Sequence, residues 1–464
     1  MAITFARLTE ADLPTLHRWL NEPGVVRWWE GDDVSWEAVV REYWTSDEPT
    51  EHWMASLDGR PFGWIQCYTA ADYPEEAGPW RALGVEDGAA GIDYLIGEPG
   101  DRGHALGAAM IRAFVADVVF AGHPGWTQAC AAPEAGNVAS WRALENAGFR
   151  SLGEVAGKDG PGRLMAYDRP RFRYRSPDED SGRWLGFPFR DGDIVISTRS
   201  KSGTTWLQMI CGLLVFQTPE LPAPLARLSP WLDWLVTPLA DVSAELTAQQ
   251  HRRFLKTHTP LDGIPLDQRA TYLVAARHPL DMAVSLYHQG ENIDRDRLRA
   301  LTGAPQPAGP RPPRPPLHDW LVAAIESNAS PQDEMDSFPG VMWHLSDAWS
   351  RRHQPNVVLV HYDDLLTDLE GEMRRLATGL GIEVVPARWP LLVEAATFDE
   401  MRSRAHDLAP DAAGVLKDPV RFFRGGRSGD GTALLSAGEL ARYRARAAEL
   451  APADLVDWLH RGRI

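Results

Sequence analysis

Cysteine is nearly missing from these 464 residues. Only Cys67, Cys130 and Cys211 occur, at scattered positions that give neither a disulfide framework nor metal-ligand spacing. A reducing cytosol is therefore the expected setting, with no metal. Long apolar runs are also lacking. The longest, Met209–Phe216, falls far short of the ~20 residues that cross a bilayer. No basic segment followed by an apolar one opens the chain, so no secretory signal is expected. Positive charge is not in excess: the formal net charge is −17, which argues against nonspecific binding to nucleic acid or an anionic membrane. Internal repeats are absent too. What remains is a chain with 44% hydrophobic residues, ample for packed cores, and long enough for two or three domains. Residues 1–175 hold 16 basic against 26 acidic side chains, and the rest 31 against 38. An acidic first part suits a cationic small molecule, and solubility accounts for it equally well.

The informative chemistry is concentrated in one stretch, Asp193 to Trp206. An apolar strand, Ile194–Ile196, runs into the polar turn Ser197-Thr198-Arg199-Ser200-Lys201-Ser202-Gly203, and a helix opens at Thr204-Thr205-Trp206. Free backbone N–H groups and the dipole at a helix start favour an anionic oxygen cluster. Gly203 permits close backbone approach, Lys201 adds charge, and Ser202, Thr204 and Thr205 add donors. The nucleotide-loop pattern G-x-x-x-x-G-K-[ST] is absent, because Lys201 precedes the glycine. That absence, with no evident acidic partner for Mg²⁺, weighs against a nucleotide kinase.

In the second half, strand-like runs (Ile194–Ser197, Thr271–Ala275, Val357–Val360) alternate with helical patterns (Thr204–Val215, Asp281–Tyr287, Leu366–Gly379). This alternation predicts β-α units and a parallel sheet, with ligands at the carboxyl ends of the strands. The first half opens with a short strand and a helical segment, Glu10–Asn21. Strands at His52–Leu57, Phe62–Tyr68 and Ala90–Ile96 follow, then a helix to Val118 and a turn and helix at Gly136–Ala147. Between the halves, Tyr167–Gly182 is polar and charged without apolar periodicity, and reads as a linker. The proline-dense stretch Thr302–Pro316 excludes helix or central strand, leaving either a lid over a site or an irregular insertion.

Lys201-Ser202-Gly203-Thr204-Thr205-Trp206 resembles the 5′-phosphosulfate loop of sulfotransferases that use PAPS (3′-phosphoadenosine-5′-phosphosulfate). Four further segments follow in the family's order: Phe254–His258, Ala276–Ser285, Val357–Leu365 and Phe423–Asp430. The resemblance implies His258 as the base, Lys201 and Lys256 as catalytic cations, and Arg277 and Ser285 at the 3′-phosphate. It implies Trp206 and Phe398 around adenine, a contact from Tyr362, and Arg424 and Gly426 in the loop that closes over the cofactor. Lys256 and His258, two residues apart, share one face of a strand. The chain departs from the family at Gly425, where a lysine is usual, and at Gly431, where a tryptophan is usual. Arg427 is the residue expected to replace the missing charge.

Residues 3–168 resemble the GNAT acyltransferases, and within them the aminoglycoside 6′-N-acetyltransferases. The residues that carry this are Arg27-Trp28-Trp29-Glu30-Gly31, Gly91-Ile92-Asp93, the Arg102–Gly107 turn and Asn146–Phe149. The resemblance implies acetyl-CoA held by Leu95, Gly97, Arg102, Gly103, His104, Ala105, Gly107 and Asn137, with Asp93 and Trp29 on the amine substrate. Ala105 stands where glycine is usual, Leu144 where a tyrosine protonates the departing thiolate, and Ala132 where the aminoglycoside enzymes carry an acid.

The expectation is thus an α/β chain in two domains. A GNAT-type α+β domain with a mixed sheet spans 1–170, a linker 171–183, and a P-loop-like three-layer α/β domain with a parallel sheet 184–464. The expected activity is cytoplasmic and bifunctional: sulfuryl transfer from PAPS to a hydroxyl or amine of a small molecule, and acetyl transfer from acetyl-CoA to an aminoglycoside-like amine. The alternative is a sulfotransferase whose first domain is a degenerate substrate-binding module. Small-molecule acceptors are the expected partners; assembly is left open, a homodimer being one arrangement.

Overall fold

The computed structural model describes every residue except 1–2, 30–32, 157–159, 306–308, 310–312, 412 and 463–464. Glu30 and Gly31 of the Arg27–Gly31 motif, and six residues of the proline-dense stretch, therefore lie outside the described residues. The chain forms two compact units. One comprises Met1–Arg171, Leu185–Phe189 and Pro265–Gln268; the other comprises Phe172–Trp184, Arg190–Ile264 and Arg269–Ile464.

The first unit is built on a seven-stranded mixed sheet: β1 (Ile3–Arg7), β2 (Glu51–Leu57), β3 (Arg60–Thr69), β4 (Ala89–Ile96), β5 (Gln128–Ala131), β6 (Arg150–Ala156) and β7 (Pro161–Asp168), in the order β1-β2-β3-β4-β5-β7-β6. Only β4 and β5 run parallel, and they pair only from Ala89 to Gly91. Beyond Gly91 the two strands part. The predicted Glu10–Asn21 helix is a short 3-10 turn, Glu10–Asp12, followed by the helix Leu13–Leu20. Leu13, Leu16, Trp19 and Leu20 form its buried face, the spacing an amphipathic helix requires. The helix predicted to reach Val118 is α-helical from Leu106 to Phe114 and then widens into a π-helical turn, Val115–Phe120. Four apolar residues of that turn are buried.

The second unit carries a four-stranded, wholly parallel sheet: β8 (Ile194–Thr198), β9 (Phe254–Thr257), β10 (Thr271–Ala276) and β11 (Val357–His361), in the order β11-β10-β8-β9. All five residues of β8 are buried, as expected of a central strand in a sheet covered by helices on its faces. The helix predicted over Leu366–Gly379 is two helices, Tyr362–Thr367 and Leu369–Gly379. Asp368 breaks them apart: its backbone is extended (φ −147°) and its carboxylate accepts from the Gly371 N–H at 2.9 Å.

The stretch expected to act as a linker is folded into the second unit from Phe172 onward. Tyr174 and Trp184 are fully buried. The Tyr174 hydroxyl donates to Asp262 at 2.8 Å and accepts from the Trp343 indole at 2.9 Å. Arg173 forms a paired contact with Asp180, both bonds 2.8 Å. Two aromatic anchors bury enough surface to order a charged segment that shows no periodicity.

Candidate functional site

At the carboxyl ends of the second unit's strands lies a cavity of about 940 Å³, the position parallel sheets favour for ligands. The turn after β8 forms one wall. Lys201 (φ 66°) and Gly203 (φ 104°) both adopt left-handed conformations, and the helix Thr204–Phe216 starts directly beyond. A Cβ on Gly203 would sit 3.1 Å from the Tyr362 ring, so the left-handed backbone calls for glycine and the tight space beside it favours the same residue. Lys201, Gly203, Thr204, Thr205 and Trp206 line the cavity. Ser202 is buried and outside the lining; of the expected cradle donors, its hydroxyl is the one not presented to the cavity.

The cations here are held without partners. Lys201 has its ammonium 3.8 Å from the centre of the Phe422 ring, and Lys256 has its own 4.0 Å from Trp231. Neither forms an ion pair among the described residues. Burial, reinforced by Arg277, Arg424 and Lys256, lowers the Lys201 pKa to about 7. Burial lowers Lys256 to about 8, against the attraction of Glu179 and Asp233. Buried like charges without counterions are costly, and an anionic ligand relieves that cost.

His258 follows β9 and is buried. Its Nδ1 lies 2.5 Å from the Thr198 carbonyl oxygen. A carbonyl only accepts, so Nδ1 carries the proton and the Nε2 lone pair has no partner among the described residues. Burial first, then Lys256 and Arg199, push the imidazole's pKa down, so it is neutral at physiological pH. Arg199, which sequence reasoning passed over, supports this corner. It donates to the His258 carbonyl and pairs with Asp336 at 2.7 Å.

At the other end, Arg277 donates to the carbonyls of Lys201 (3.4 Å) and Arg427 (2.8 Å) and lies 4.3 Å from the Tyr362 ring centre. Its Nε is buried without a partner among the described residues. Ser285, Tyr362, Phe398, Arg424 and Gly426 line the same cavity. The Trp206 indole donates to the Ala396 carbonyl at 2.8 Å, and its ring meets Tyr362 edge-on. Phe398 covers Gly426, where a Cβ would approach the ring to 2.4 Å.

Of the two family departures in the closing loop, the one at Gly431 has a local explanation. At Gly431 a Cβ would lie 2.5 Å from the Leu280 carbonyl carbon, so no side chain fits. The loop is instead tied by Asp281, whose buried carboxylate accepts from the Gly429 and Gly431 N–H groups, both at 2.8 Å. Asp281 was not singled out from sequence; nothing local distinguishes it from a first-turn helix acid. Arg427, expected to supply the missing charge, is 72% exposed at its side chain and bonded to Asp430, which Arg424 also contacts.

In the first unit, the parted end of β4 carries Asp93 to Ile96 toward the turn at Arg102–Ala105. Gly103 (φ 80°) and Ala105 (φ 59°) are left-handed, with Ala105 preceding the helix at Leu106. That conformation is the reason glycine is usual there. His104 is exposed, Gly107 lies beside Ala143, and Gly97 is packed against the face of Trp19. Three predicted contacts are already engaged within the protein. Arg102 donates back to the carbonyls of Ile96 (3.0 Å) and Gly97 (2.9 Å). Leu95 is buried in a hydrophobic cluster with Trp19 and Trp64, leaving only its backbone for a ligand. Asn137 caps its own helix by accepting from the Ser140 N–H at 3.2 Å. Asp93 accepts from Gln66 at 2.8 Å, and Trp29 packs at the edge of the Trp19 cluster. Leu144 is fully buried. A nearby phenol, Tyr94, bonds to the Ser140 hydroxyl at 2.8 Å, and burial raises its pKa. Among the described residues, Glu51, Cys67 and His123 bring three potential metal-ligand atoms within 4.8 Å of one another, but Arg7 already holds Glu51 at 2.5 Å.

Residues 191–434 match the sulfotransferase domain family, and residues 9–156 the acetyltransferase (GNAT) domain family. A glycolipid sulfotransferase of Mycobacterium bovis is 43% identical over 311 residues, covering 63% of this chain and 95% of the relative. An aminoglycoside N(6′)-acetyltransferase type 1 of Klebsiella pneumoniae is 31% identical over 176 residues, covering 37% of this chain and 85% of the relative. Among solved structures, aminoglycoside acetyltransferase AAC(6′)-Ib in complex with coenzyme A aligns with 30% identity and a TM-score of 0.33, covering 36% of this chain and 95% of that one. Retinol dehydratase in complex with retinol and PAP aligns with 20% identity and a TM-score of 0.45, covering 58% and 84%. The chain belongs to the sulfotransferase family and carries, ahead of its sulfotransferase domain, a domain of the GNAT acetyltransferase family.

Proposed function

We propose that the second unit transfers a sulfuryl group from PAPS to a hydroxyl or amine of a small molecule, with His258 as general base. The observation that carries this reading is the pairing of two cations without ion-pair partners among the described residues, Lys256 buried and Lys201 half-buried, with a neutral imidazole whose Nε2 has no hydrogen-bond partner among them. The residues fit the group: Lys201 and the Gly203 turn suit the 5′ end of the donor, and Arg277 and Ser285 suit the 3′-phosphate. Bound PAPS would supply an activated sulfuryl group. The protein's own work is to orient, to hold charge and to move one proton. Lys201 and Lys256 offset charge gathering on oxygen, as cations do in phosphoryl transfer. His258 Nε2 accepts the acceptor's proton, and the Thr198 carbonyl on Nδ1–H steadies the ring as it becomes charged. Lys201→Ala and His258→Ala should each abolish sulfate transfer from PAPS with the fold intact. Normal turnover in the His258 variant removes it as the base. Activity persisting in EDTA separates this chemistry from a Mg²⁺-dependent kinase.

For the first unit the reading is acetyl transfer from acetyl-CoA to an amine of an aminoglycoside-like acceptor. The parted strands and the Gly103–Ala105 turn at a helix start support a place for coenzyme A, which would supply the thioester. One observation favours the second reading, a retired pocket that only binds substrate: Leu144, at the family's tyrosine position, is a core residue, so that position supplies no acid. Thiol release on incubation with acetyl-CoA and an aminoglycoside panel decides between them. Mass spectrometry of a small-molecule library offered both donors shows which units work and whether they share an acceptor.

A further inference from the structure

One corner of the first unit gathers three side chains of different metal-binding chemistry. Glu51 on β2 and Cys67 on β3 are direct cross-strand partners, so their side chains leave the same face of the sheet. His123, just beyond the π-helical turn, joins them. Glu51 Oε2 is 3.7 Å from Cys67 Sγ and 3.3 Å from His123 Nε2, and one ligand atom of each residue lies within 4.8 Å of the other two. A tetrahedral zinc ion, bonded at ~2.0–2.1 Å to nitrogen and oxygen and ~2.3 Å to sulfur, sets its ligand atoms ~3.3–3.6 Å apart. Two sides of this triangle are already close to those lengths.

The surroundings suit an ion as well. Arg7 engages Glu51 through Oε1 at 2.5 Å, which orients the carboxylate and leaves Oε2 turned to the other two residues. The His123 ring is fixed by stacking on Trp126, with ring centres 3.7 Å apart. Cys67 is fully buried and forms the floor, while the Glu51 and His123 side chains keep 22% and 28% exposure. An ion entering between carboxylate and imidazole replaces the existing thiol–carboxylate contact and needs no open pocket. Burial, then the Glu51 charge, keep Cys67 a thiol in the metal-free protein, against the pull of Arg7 and the Trp53 indole N–H.

We propose that Cys67, Glu51 and His123 bind one Zn²⁺ ion, with water in the fourth position. The ligands select the metal: thiolate and imidazole disfavour Mg²⁺ and Ca²⁺, and one thiolate with one carboxylate cancels the two charges of the ion. The thiol gives its proton to solvent as the S–Zn bond forms, and neutral His123 supplies the Nε2 lone pair. The ion ties β2 and β3 to the end of the helical segment that opens at Leu106, and so acts on the stability of the first unit. Cys67 and His123 lie 16 and 72 residues from Glu51 along the chain, separations that carry no metal signature in the sequence.

The test titrates Zn²⁺ into the untagged full chain, stripped with EDTA and desalted, in competition with a chromogenic chelator. One equivalent should bind with a Kd of about 1 µM or tighter. Cys67→Ala and His123→Ala should each weaken binding by about 100-fold or more, since losing a residue that merely supports a ligand costs about 10–100-fold. Cys130→Ala, at a buried thiol outside the cluster, should bind as wild type does. Co²⁺ in place of Zn²⁺ reads the ligands: wild type should show a thiolate-to-cobalt charge-transfer band in the near ultraviolet, and Cys67→Ala should show none. Zinc should raise the Tm of the wild type and leave that of His123→Ala unchanged. His123 is partly exposed, so that variant, checked for a wild-type near-ultraviolet circular dichroism spectrum, decides the matter should Cys67→Ala fail to fold. A wild-type Kd weaker than about 1 µM, wild-type affinity in either ligand variant, or a cobalt spectrum without the thiolate band overturns the proposal.

Discussion

Binding of adenosine 3′,5′-bisphosphate (PAP) should draw protons onto the protein, and the amount follows from two lysines of the cavity. Burial and neighbouring cations lower Lys201 to about 7, so at pH 8 it is ~90% neutral before an anion binds. A bound phosphate favours the charged form and returns the pKa toward its ordinary value. About 0.9 proton is therefore taken up at Lys201 on binding at pH 8. Lys256, lowered to about 8, is half neutral at that pH. Total uptake reaches ~1.4 protons if it too contacts the ligand. The sign fixes the pH window. Below pH 7 Lys201 is already charged and adds no penalty, whereas above pH 7 affinity should fall by up to about tenfold per pH unit. Phosphate ionises near pH 6, so the ligand contributes little above pH 7. Calorimetry in two buffers of different ionisation enthalpy reads the uptake directly. Lys201→Arg, whose guanidinium does not titrate, should reduce uptake at pH 8 to ~0.5 proton or less. Wild-type uptake below ~0.2 proton at pH 8, with a Kd that is flat from pH 7 to 9, would refute the reasoning.

The same lysine strains the ligand-free fold. With its folded pKa near 7 and its unfolded pKa near 10, the folded state binds fewer protons between those values, so stability rises with pH by about 1.4 kcal/mol per unit in that window. Lys201→Met should raise the Tm of the ligand-free protein at pH 7, flatten its rise toward pH 9, and remove the Tm increase caused by PAP. Gly431→Ala places a Cβ 2.5 Å from Leu280 and should weaken PAP binding by about tenfold or more through the displaced closing loop. Gly438→Ala, in open space, is the neutral control, and equal affinities would separate loop position from binding. Ala105→Gly relieves a left-handed alanine (φ 59°) and should stabilise the protein by about 0.5–1 kcal/mol in denaturant unfolding, net of glycine's added unfolded-state entropy.

Sequence alone determined the two family resemblances, the order of strands and helices along the chain, and most of the residues proposed for sulfuryl transfer, which line one cavity. Those features are local: a glycine beside a lysine at a strand-to-helix turn, an alternation of strand and helix, two side chains on one strand face. The helix break at Asp368 and the anchoring of Tyr174 and Trp184 escaped, since a cap and two isolated aromatics leave no periodic signal. Only tertiary structure decided which polar groups go unsatisfied. Arg277 Nε, Glu179 Oε2 and Trp231 Nε1 come from separate segments, and their burial without partners among the described residues arises only when the segments around the carboxyl ends of β8, β9 and β10 converge on one cavity. Likewise Arg102 and Asn137 matched a pattern, while the fold turned their side chains onto nearby backbone groups. Local residue order encodes turn chemistry and periodicity; desolvation depends on what packs from far away along the chain.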